Sequence, residues 1–294
     1  MHCCLSDRHF VVSDSDAWSK FAPSFVKLAT DNGPAVLPAQ DMIKAGDAAY
    51  PFSSALTVLD IGCGTGQVMS EVLKAHGSEL PSSSRLVASD LSPSMIEQVQ
   101  IRKAAEIEKG NTSWSKAETV VCNATDLSKF PDSSVSHALA GFVLFMVPQP
   151  RTALKEIQRV LTNQNGGGFF ALSSWLGSEW LDLMSFSNKV RPDKPILQML
   201  PPWNTIEGVR GELEATGFRD IDVHLVETFW PFDDYDEIAR YILTQFPGMS
   251  KMTADMSREE LENVRDLMVK HIIAKHPSVP GRLTGTAIIG LGRK

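Results

Sequence analysis

The chain is poor in the features that several function classes require. It has only four cysteines, Cys3, Cys4, Cys63 and Cys122, and no two of them stand in a CxxC pair. Neither a zinc ribbon nor a thioredoxin-like redox motif is therefore written in it. Cys3 and Cys4 are adjacent and poorly placed to bridge each other. His2, Cys3, Cys4 and His9 cluster near a chain end without the spacing of metal ligands, so no metal site is expected. Cys63 and Cys122 fall beside expected strand ends and read as small packing residues. Positive charge is not in excess: 28 Lys and Arg face 35 Asp and Glu, for a net charge of −7 and a pI of about 5.5. A nucleic-acid partner usually demands a basic face, so none is expected. The longest apolar run, residues 138–148, is far too short to span a bilayer. Residues 1–12 hold His, Cys, Asp and Arg, which is no signal-peptide pattern. There is no internal repeat and no long low-complexity stretch. These absences lead us to expect a soluble, cytoplasmic protein; they leave its oligomeric state open.

What the chain does have is enough apolar sequence, 43% of 294 residues, for one large domain or one domain with a cap. Strand-like and helix-like segments alternate, which argues for a parallel sheet with helices on both faces. Expected strands are residues 57–61, 85–90, 118–122, 135–143, 168–174, 220–227 and 284–291. Ser92-Pro93 offers an N-cap and a first-turn proline. Leu154, Ile157, Val160 and Leu161 make one apolar stripe. Asn204 with Glu207 can start a helix that turns Ile206, Val209 and Leu213 inward and ends on Gly217. Residues 34–38, 81–84 and 166–168 read as loops.

Two regions exceed what a minimal sheet needs. In the first, residues 1–55, Trp18, Phe21, Phe25 and Leu28 recur at helical spacing, with Pro23 marking a kink or break. In the second, residues 230–282, one helix carries Tyr235, Ile238, Ile242 and Phe246. Another starts at Ser257 with Glu260 completing a capping box, and carries Leu261, Val264, Leu267, Met268 and Ile272. Extra helices beside strand ends commonly form a lid or a substrate wall. The expected division is an N-terminal helical cap (1–55), an α/β core (56–229), a helical lid (230–282) and a last core strand (283–294).

The stretch TVLDIGCGTGQV, residues 57–68, is an apolar run, an acid and three glycines in five positions. A triphosphate loop needs GxxxxGK[ST], which is missing here. A dinucleotide fingerprint is GxGxxG; here the order is GxGxG, with Asp60 two residues ahead of the first glycine. A carboxylate there repels a pyrophosphate and suits a cation. A ligand with an ammonium and a sulfonium but no phosphate fits this turn.

At residues 57–175 the chain resembles the class I S-adenosylmethionine-dependent methyltransferases, most closely the small-molecule branch of ubiquinone- and menaquinone-pathway enzymes. Four ordered motifs carry the resemblance. They are VLDIGCGTG; ASDLSPSMIE, which contains Asp90; Asn123-Ala124-Thr125-Asp126-Leu127 ahead of FPDSSV; and GFVLFMVPQPRTALKEIQRVL. The resemblance implies a seven-stranded, mostly parallel, Rossmann-like α/β fold and S-adenosylmethionine as cofactor, with S-adenosylhomocysteine as product. Gly62, Cys63, Gly64 and Gly66 would let backbone approach the methionine and ribose parts. Asp60 would face the ammonium and Asp90, followed by Leu91, the ribose hydroxyls. Met95 would pack on the adenine and Phe142 would cover the sulfonium side. The family's Asp-Ala pair after the third strand is Asn123-Ala124 here; an amide oxygen can still accept from the adenine amine.

Relatives that deprotonate a carbon or phenol often carry an LHHV-like run after the fourth strand. Here the run is Leu144-Phe145-Met146-Val147, with no imidazole. The departure points to an apolar small-molecule acceptor whose O, N, S or activated C is nucleophilic enough alone. Transfer then rests on proximity and in-line alignment. His137 and His224 read as structural, His271 as a core histidine, and His9 as near a chain end; no general base is named. Acceptor-pocket candidates are Trp18, Phe145, Met146, Trp175, Trp180 and Trp230, of which Trp175 stands at a strand's carboxyl end. Competing readings are a fold member that binds the cofactor for a non-methylating reaction, and a regulator acting through a protein partner. A nucleic-acid methyltransferase ranks last, because no NPPY- or DPPY-like segment follows the fourth strand.

Overall fold

In the computed structural model, which describes residues 15–26, 32–196, 199, 201–246 and 249–294, strand β1 (Thr57–Ile61) is buried at every position. That is the pattern of a strand covered on both faces. It is followed by β2 (Arg85–Asp90), β3 (Ala117–Val121), β4 (His137–Gly141), β5 (Phe169–Ser178), β6 (Arg219–Phe232) and β7 (Gly281–Arg293). They form one sheet in the order β3-β2-β1-β4-β5-β7-β6. The pairings among the first five strands are parallel. β7 runs antiparallel to both β5 and β6. The mostly parallel seven-stranded α/β sheet expected from the alternation is thus present. Its order reverses at β1, which lies between β2 and β4, so a crevice opens outside the carboxyl ends of these strands.

Helices α1 (Ser15–Phe25) and α2 (Val36–Ala49) precede the sheet. α3 (Gln67–His76), α4 (Pro93–Glu108) and α5 (Pro150–Val160) connect its parallel strands. Short α6 (Glu179–Met184) and α7 (Ser187–Val190), then α8 (Ile206–Ala215), lie between β5 and β6; α9 (Tyr235–Gln245), α10 (Met249–Thr253) and α11 (Arg258–Lys275) lie between β6 and β7. One face of the sheet is buried by Met42, Val68, Val99, Ile242 and Met268 from the helices of the first, second and last groups. The other is buried by Leu154, Ile157, Val209 and Leu213 of α5 and α8.

Local chemistry accounts for several helix ends. Ser92 caps α4 by accepting from the Met95 N–H, with Pro93 in the first turn. Ser257 and Glu260 close the capping box of α11. Gly217 ends α8 at φ +87°. Among the described residues no helix is long and apolar enough to cross a membrane.

Several expectations need correction. Residues 34–38 are not all loop, since α2 begins at Val36; Pro38 sits in its first turn, where a missing N–H costs nothing. Pro23 does not break α1, because it falls in the last turn. α8 is capped by Thr205, which accepts from Gly208, and not by Asn204, whose amide donates to the Met199 carbonyl. Leu267 is 38% exposed and leaves the stripe of α11 to Val264, Met268 and Ile272. β6 and β7 reach further than residues 227 and 284 because each supplies the other's ladder, out to Phe232 paired with Gly281. Pro231 is tolerated there because β6 is the edge strand. His2, Cys3, Cys4, His9 and Leu28 lie outside the described residues.

Candidate active site

A cavity of about 350 Å³ opens at the carboxyl ends of β1, β2 and β4. It sits at the switch point of the sheet, where open α/β folds bind ligands. The turn after β1 builds its floor. Gly62, Gly64 and Gly66 have φ of +63°, +52° and +85°. A Cβ at Gly62 would lie 2.4 Å from a Val143 methyl. The glycines are therefore required both by conformation and by the close approach of the next loop.

Asp60 is 1% exposed. Its Oδ2 accepts from the Met69 N–H at 3.1 Å, capping α3, while Oδ1 has no partner. Burial pushes its carboxyl up to about 7, against the Met69 hydrogen bond and with help from nearby Asp90. Asp90 ends β2. Its oxygens accept from the Gly64 N–H at 2.9 Å and the Ser92 N–H at 2.8 Å. Burial raises it as well, and those N–H groups oppose the rise. Two acids line this cavity, and among the described residues no Lys, Arg or His does. Such a lining rejects phosphate and accepts a cation with hydroxyls. The left-handed glycine turn, the acid at the end of β2 and the orphaned Asp60 oxygen all fit S-adenosylmethionine.

Of the residues expected at the cofactor, Asp60, Gly62, Cys63, Gly64, Asp90, Leu91, Met95, Asn123, Ala124 and Phe142 line the cavity. Gly66 does not; it is the left-handed N-cap of α3 and faces Val99. Met95 is buried, and Leu91 is exposed with its carbonyl accepting from Ser15. The Asn123 Oδ1 accepts from the Thr125 N–H at 3.0 Å, an Asx turn at the exposed rim. Phe142 has φ +53°, donates its N–H to Ser173 Oγ at 3.0 Å, and stacks on Trp175 at 3.9 Å. A phenylalanine held at positive φ stores roughly 1–3 kcal/mol of strain, which clusters at functional sites.

The acceptor-pocket candidates divide. Trp18 and Met146 line the cavity; Phe145, Trp175, Trp180 and Trp230 do not. Trp175 stands behind Phe142, and Trp180 packs edge-on between Trp175 and Trp230. Trp230 in turn meets Tyr241 of α9. These three tryptophans are the core that joins the sheet to the helices between β6 and β7. The cavity has walls that sequence reasoning missed: Phe25 of α1, Ala35 at the start of α2, Met42 in its middle, Gln67 and Ser173. Gln67 had a signal, as the first helical residue after the glycine turn. Met42 had none, because only the packing of α2 across the sheet brings it there.

Among the described residues, none from α9 to α11 lines the cavity. They reach it through α1. Tyr241 donates to the Ser24 carbonyl at 2.8 Å, and Ser19 Oγ meets Ser92 Oγ at 2.9 Å. The Phe25 ring lies 3.3 Å from where a Cβ at Gly64 would stand.

Among the described residues no histidine lines the cavity. His137 is buried, stacks on Phe52 at 4.2 Å and places Nε2 2.6 Å from the Tyr50 carbonyl. Burial pulls it down to about 4, so it is neutral. His224 bridges Asp222 and Asp41, at 2.7 Å each, and ties β6 to α2. His271 packs edge-on against Phe186. Asp47, His76 and Glu79 come close enough for one cation, but the His76 ring stacks on Phe52 and its Nδ1 already hydrogen-bonds Glu79 at 3.0 Å.

Comparison with known proteins agrees with this geometry. Residues 59–171 match the family model described as methyltransferase domain. Methyltransferase ucsB of Acremonium sp is 30% identical over 280 residues, covering 95% of each chain. Methyltransferase tpcH of Aspergillus fumigatus is 26% identical, covering 88% of this chain and 92% of its own. Among solved structures, the [4+2]-cyclase SpnF superposes with a TM-score of 0.53 over 95% of both chains, at 17% identity. That level of identity shows a shared fold and nothing of the reaction. The chain belongs to the class I S-adenosylmethionine-dependent methyltransferases, and it is an enzyme of methyl transfer. The non-methylating and regulatory readings gain no support from these relatives.

Proposed function

We propose that the enzyme methylates an O, N, S or activated C of a small, largely apolar metabolite whose nucleophile is reactive without an enzymatic base. The observation that carries this is the cavity lining: Met42, Phe142, Val143, Met146, Val147 and Pro148 surround the space beyond the glycine turn, with no histidine or lysine among them. When bound, S-adenosylmethionine supplies a methyl group already activated by its sulfonium. In-line attack would form one bond to the methyl carbon as the S–C pair returns to sulfur, giving S-adenosylhomocysteine; a hydroxyl or thiol acceptor would have given its proton to solvent before attack and an amine would do so after it, so no side chain need take it. The chain's own residues then have three tasks. Asp90 and the Gly64 turn hold the nucleoside, Asp60 faces the ammonium, and Asn123 with Ala124 borders the adenine. Phe142, supported by Trp175, aligns the methyl with the acceptor. α1, held down by Ser92 and by Tyr241 of α9, excludes water, so residues 1–55 and 230–282 work as cap and lid support around the α/β core. Alignment and desolvation of this kind supply most of what a displacement needs.

The named relatives include an O-methyltransferase, resE of Aspergillus sclerotiorum, 29% identical over 185 residues. We accordingly place the acceptor among phenol- or enol-bearing secondary metabolites first. The test is incubation with S-adenosylmethionine and a panel of apolar phenols, enols, thiols and amines, read by product mass and S-adenosylhomocysteine release. A gain of one methyl on an acidic hydroxyl supports the reading. Turnover confined to weakly acidic alcohols or unactivated carbon acids, which need a base, refutes it.

A further inference from the structure

Of the six buried side-chain polar atoms without a partner among the described residues, three belong to Asp60, Thr65 and Gln67. Orphaned buried polar atoms are costly, and two of these three belong to residues that line the cavity, Asp60 and Gln67, where a ligand can complete the hydrogen bonding. Gln67 is 7% exposed and lines the cavity. Its amide does not turn freely. Nε2 donates to Glu71 Oε1 at 3.2 Å, and Glu71 is itself held by Lys74 at 3.0 Å and by Gln40 of α2 at 2.9 Å. Flipping the amide would set its oxygen against a carboxylate, so Oε1 is the atom left without a partner. Gln67 lies two residues before Met69, whose N–H already occupies the other oxygen of Asp60. Two residues that line the cavity, Asp60 at the end of β1 and Gln67 at the start of α3, therefore each hold an unfilled acceptor.

We infer that Gln67 Oε1 accepts a hydrogen bond from the ammonium of the cofactor's methionine end, beside Asp60, and that Gln40 and Glu71 are the positioning residues that aim it. An ammonium carries three N–H donors, more than one carboxylate oxygen can satisfy. This rests on the cofactor placement proposed above.

The test is calorimetric binding of two ligands to the whole protein. S-adenosylhomocysteine carries the ammonium; 5′-methylthioadenosine has the same nucleoside thioether without the amino-acid tail. Gln67→Met keeps length and removes the acceptor. It should weaken S-adenosylhomocysteine about tenfold to a hundredfold, as expected for a hydrogen bond to a charged group, and leave 5′-methylthioadenosine unchanged. Glu71→Gln, which frees the amide to rotate, should show a smaller loss with the same ligand pattern, and it carries the test if Gln67→Met does not melt cooperatively. Unchanged S-adenosylhomocysteine binding overturns the inference, as does an equal loss for both ligands. Unchanged cofactor binding with a raised KM for the acceptor also overturns it, and hands Gln67 to the acceptor instead. Wild-type protein that binds neither ligand refutes the underlying placement, a result distinct from all of these.

Discussion

Cofactor affinity should depend on pH through one carboxyl, and the structure sets the window. Asp60 is buried with one oxygen unfilled, and its carboxyl is pushed up to about 7 from 3.8. A bound ammonium favours the ionised form, so below that value binding must expel a proton. Between about pH 7.5 and pH 5.5 the apparent affinity should fall roughly twentyfold to thirtyfold, the limit for one group leaving the free protein at about 7. Above that range it should be flat until the cofactor's own amine titrates near about 8. Asp60→Asn should bind more weakly but lose this pH dependence, which separates Asp60 from Asp90. The same carboxyl has the opposite sign for folding. The unfolded chain ionises from 3.8 upward and the folded one only from about 7, so the folded state holds more protons and loses stability as pH rises across that interval. The full difference is on the order of 4 kcal/mol. Asp60→Asn should therefore raise the cofactor-free Tm above pH 7 and have little effect near about pH 2.5, where the carboxyl is protonated in both the folded and the unfolded chain. Titration calorimetry of S-adenosylhomocysteine in two buffers of different ionisation enthalpy reads the proton release directly. Equal heats in both buffers and a flat affinity from about pH 5.5 to 7.5 would refute the argument.

Three further outcomes follow from other parts of the site and its frame. Asp90→Ala removes an acceptor and frees the Gly64 and Ser92 N–H groups, so cofactor binding should weaken by about 1–3 kcal/mol; unchanged calorimetric affinity would misplace the acid. Gly62→Ala sets a Cβ 2.4 Å from Val143 at φ +63°, and urea unfolding should show a loss of about 1–3 kcal/mol or more. For His224, burial alone would lower the imidazole, but Asp41 and Asp222 outweigh it and raise it above its ordinary value. Its contribution is present at low pH and lost as pH rises through the folded value, so His224→Asn should lower Tm more near about pH 5.5 than near about pH 8.5.

Where the signal was local, the sequence was enough. β1, β2 and the caps of α4 and α11 stand where apolar runs, Ser-Pro and Ser-x-x-Glu put them. Asp60, Gly62, Cys63, Gly64 and Asp90 were legible because a glycine turn and an acid at a strand end each carry their reason within a few positions, whereas Met95, Asn123, Ala124 and Phe142 were reached through the family resemblance. Asn204 failed as a cap because Thr205, one residue on, competes for the same N–H groups and wins. Trp180 and Trp230 failed as pocket residues because an aromatic side chain reads the same whether it lines a cavity or fills a core. Gly285 shows which it was: a Cβ there would lie 2.3 Å from the Trp180 ring.

What the sequence determined by itself is the chemistry of the turn: backbone free to adopt positive φ, an acid ahead of it, no phosphate-binding lysine. Those properties belong to neighbouring residues and survive any tertiary arrangement. Only the tertiary structure decided what surrounds the cavity. It brought Met42 across the sheet from α2, Phe25 over Gly64 from α1, and Ser173 under Phe142 from β5. It also set α9 against α1 through Tyr241 and Ser24, and left the described residues of α9 to α11 out of the cavity lining. Such contacts join residues far apart in the chain, and they depend on how whole helices pack, which no local spacing encodes.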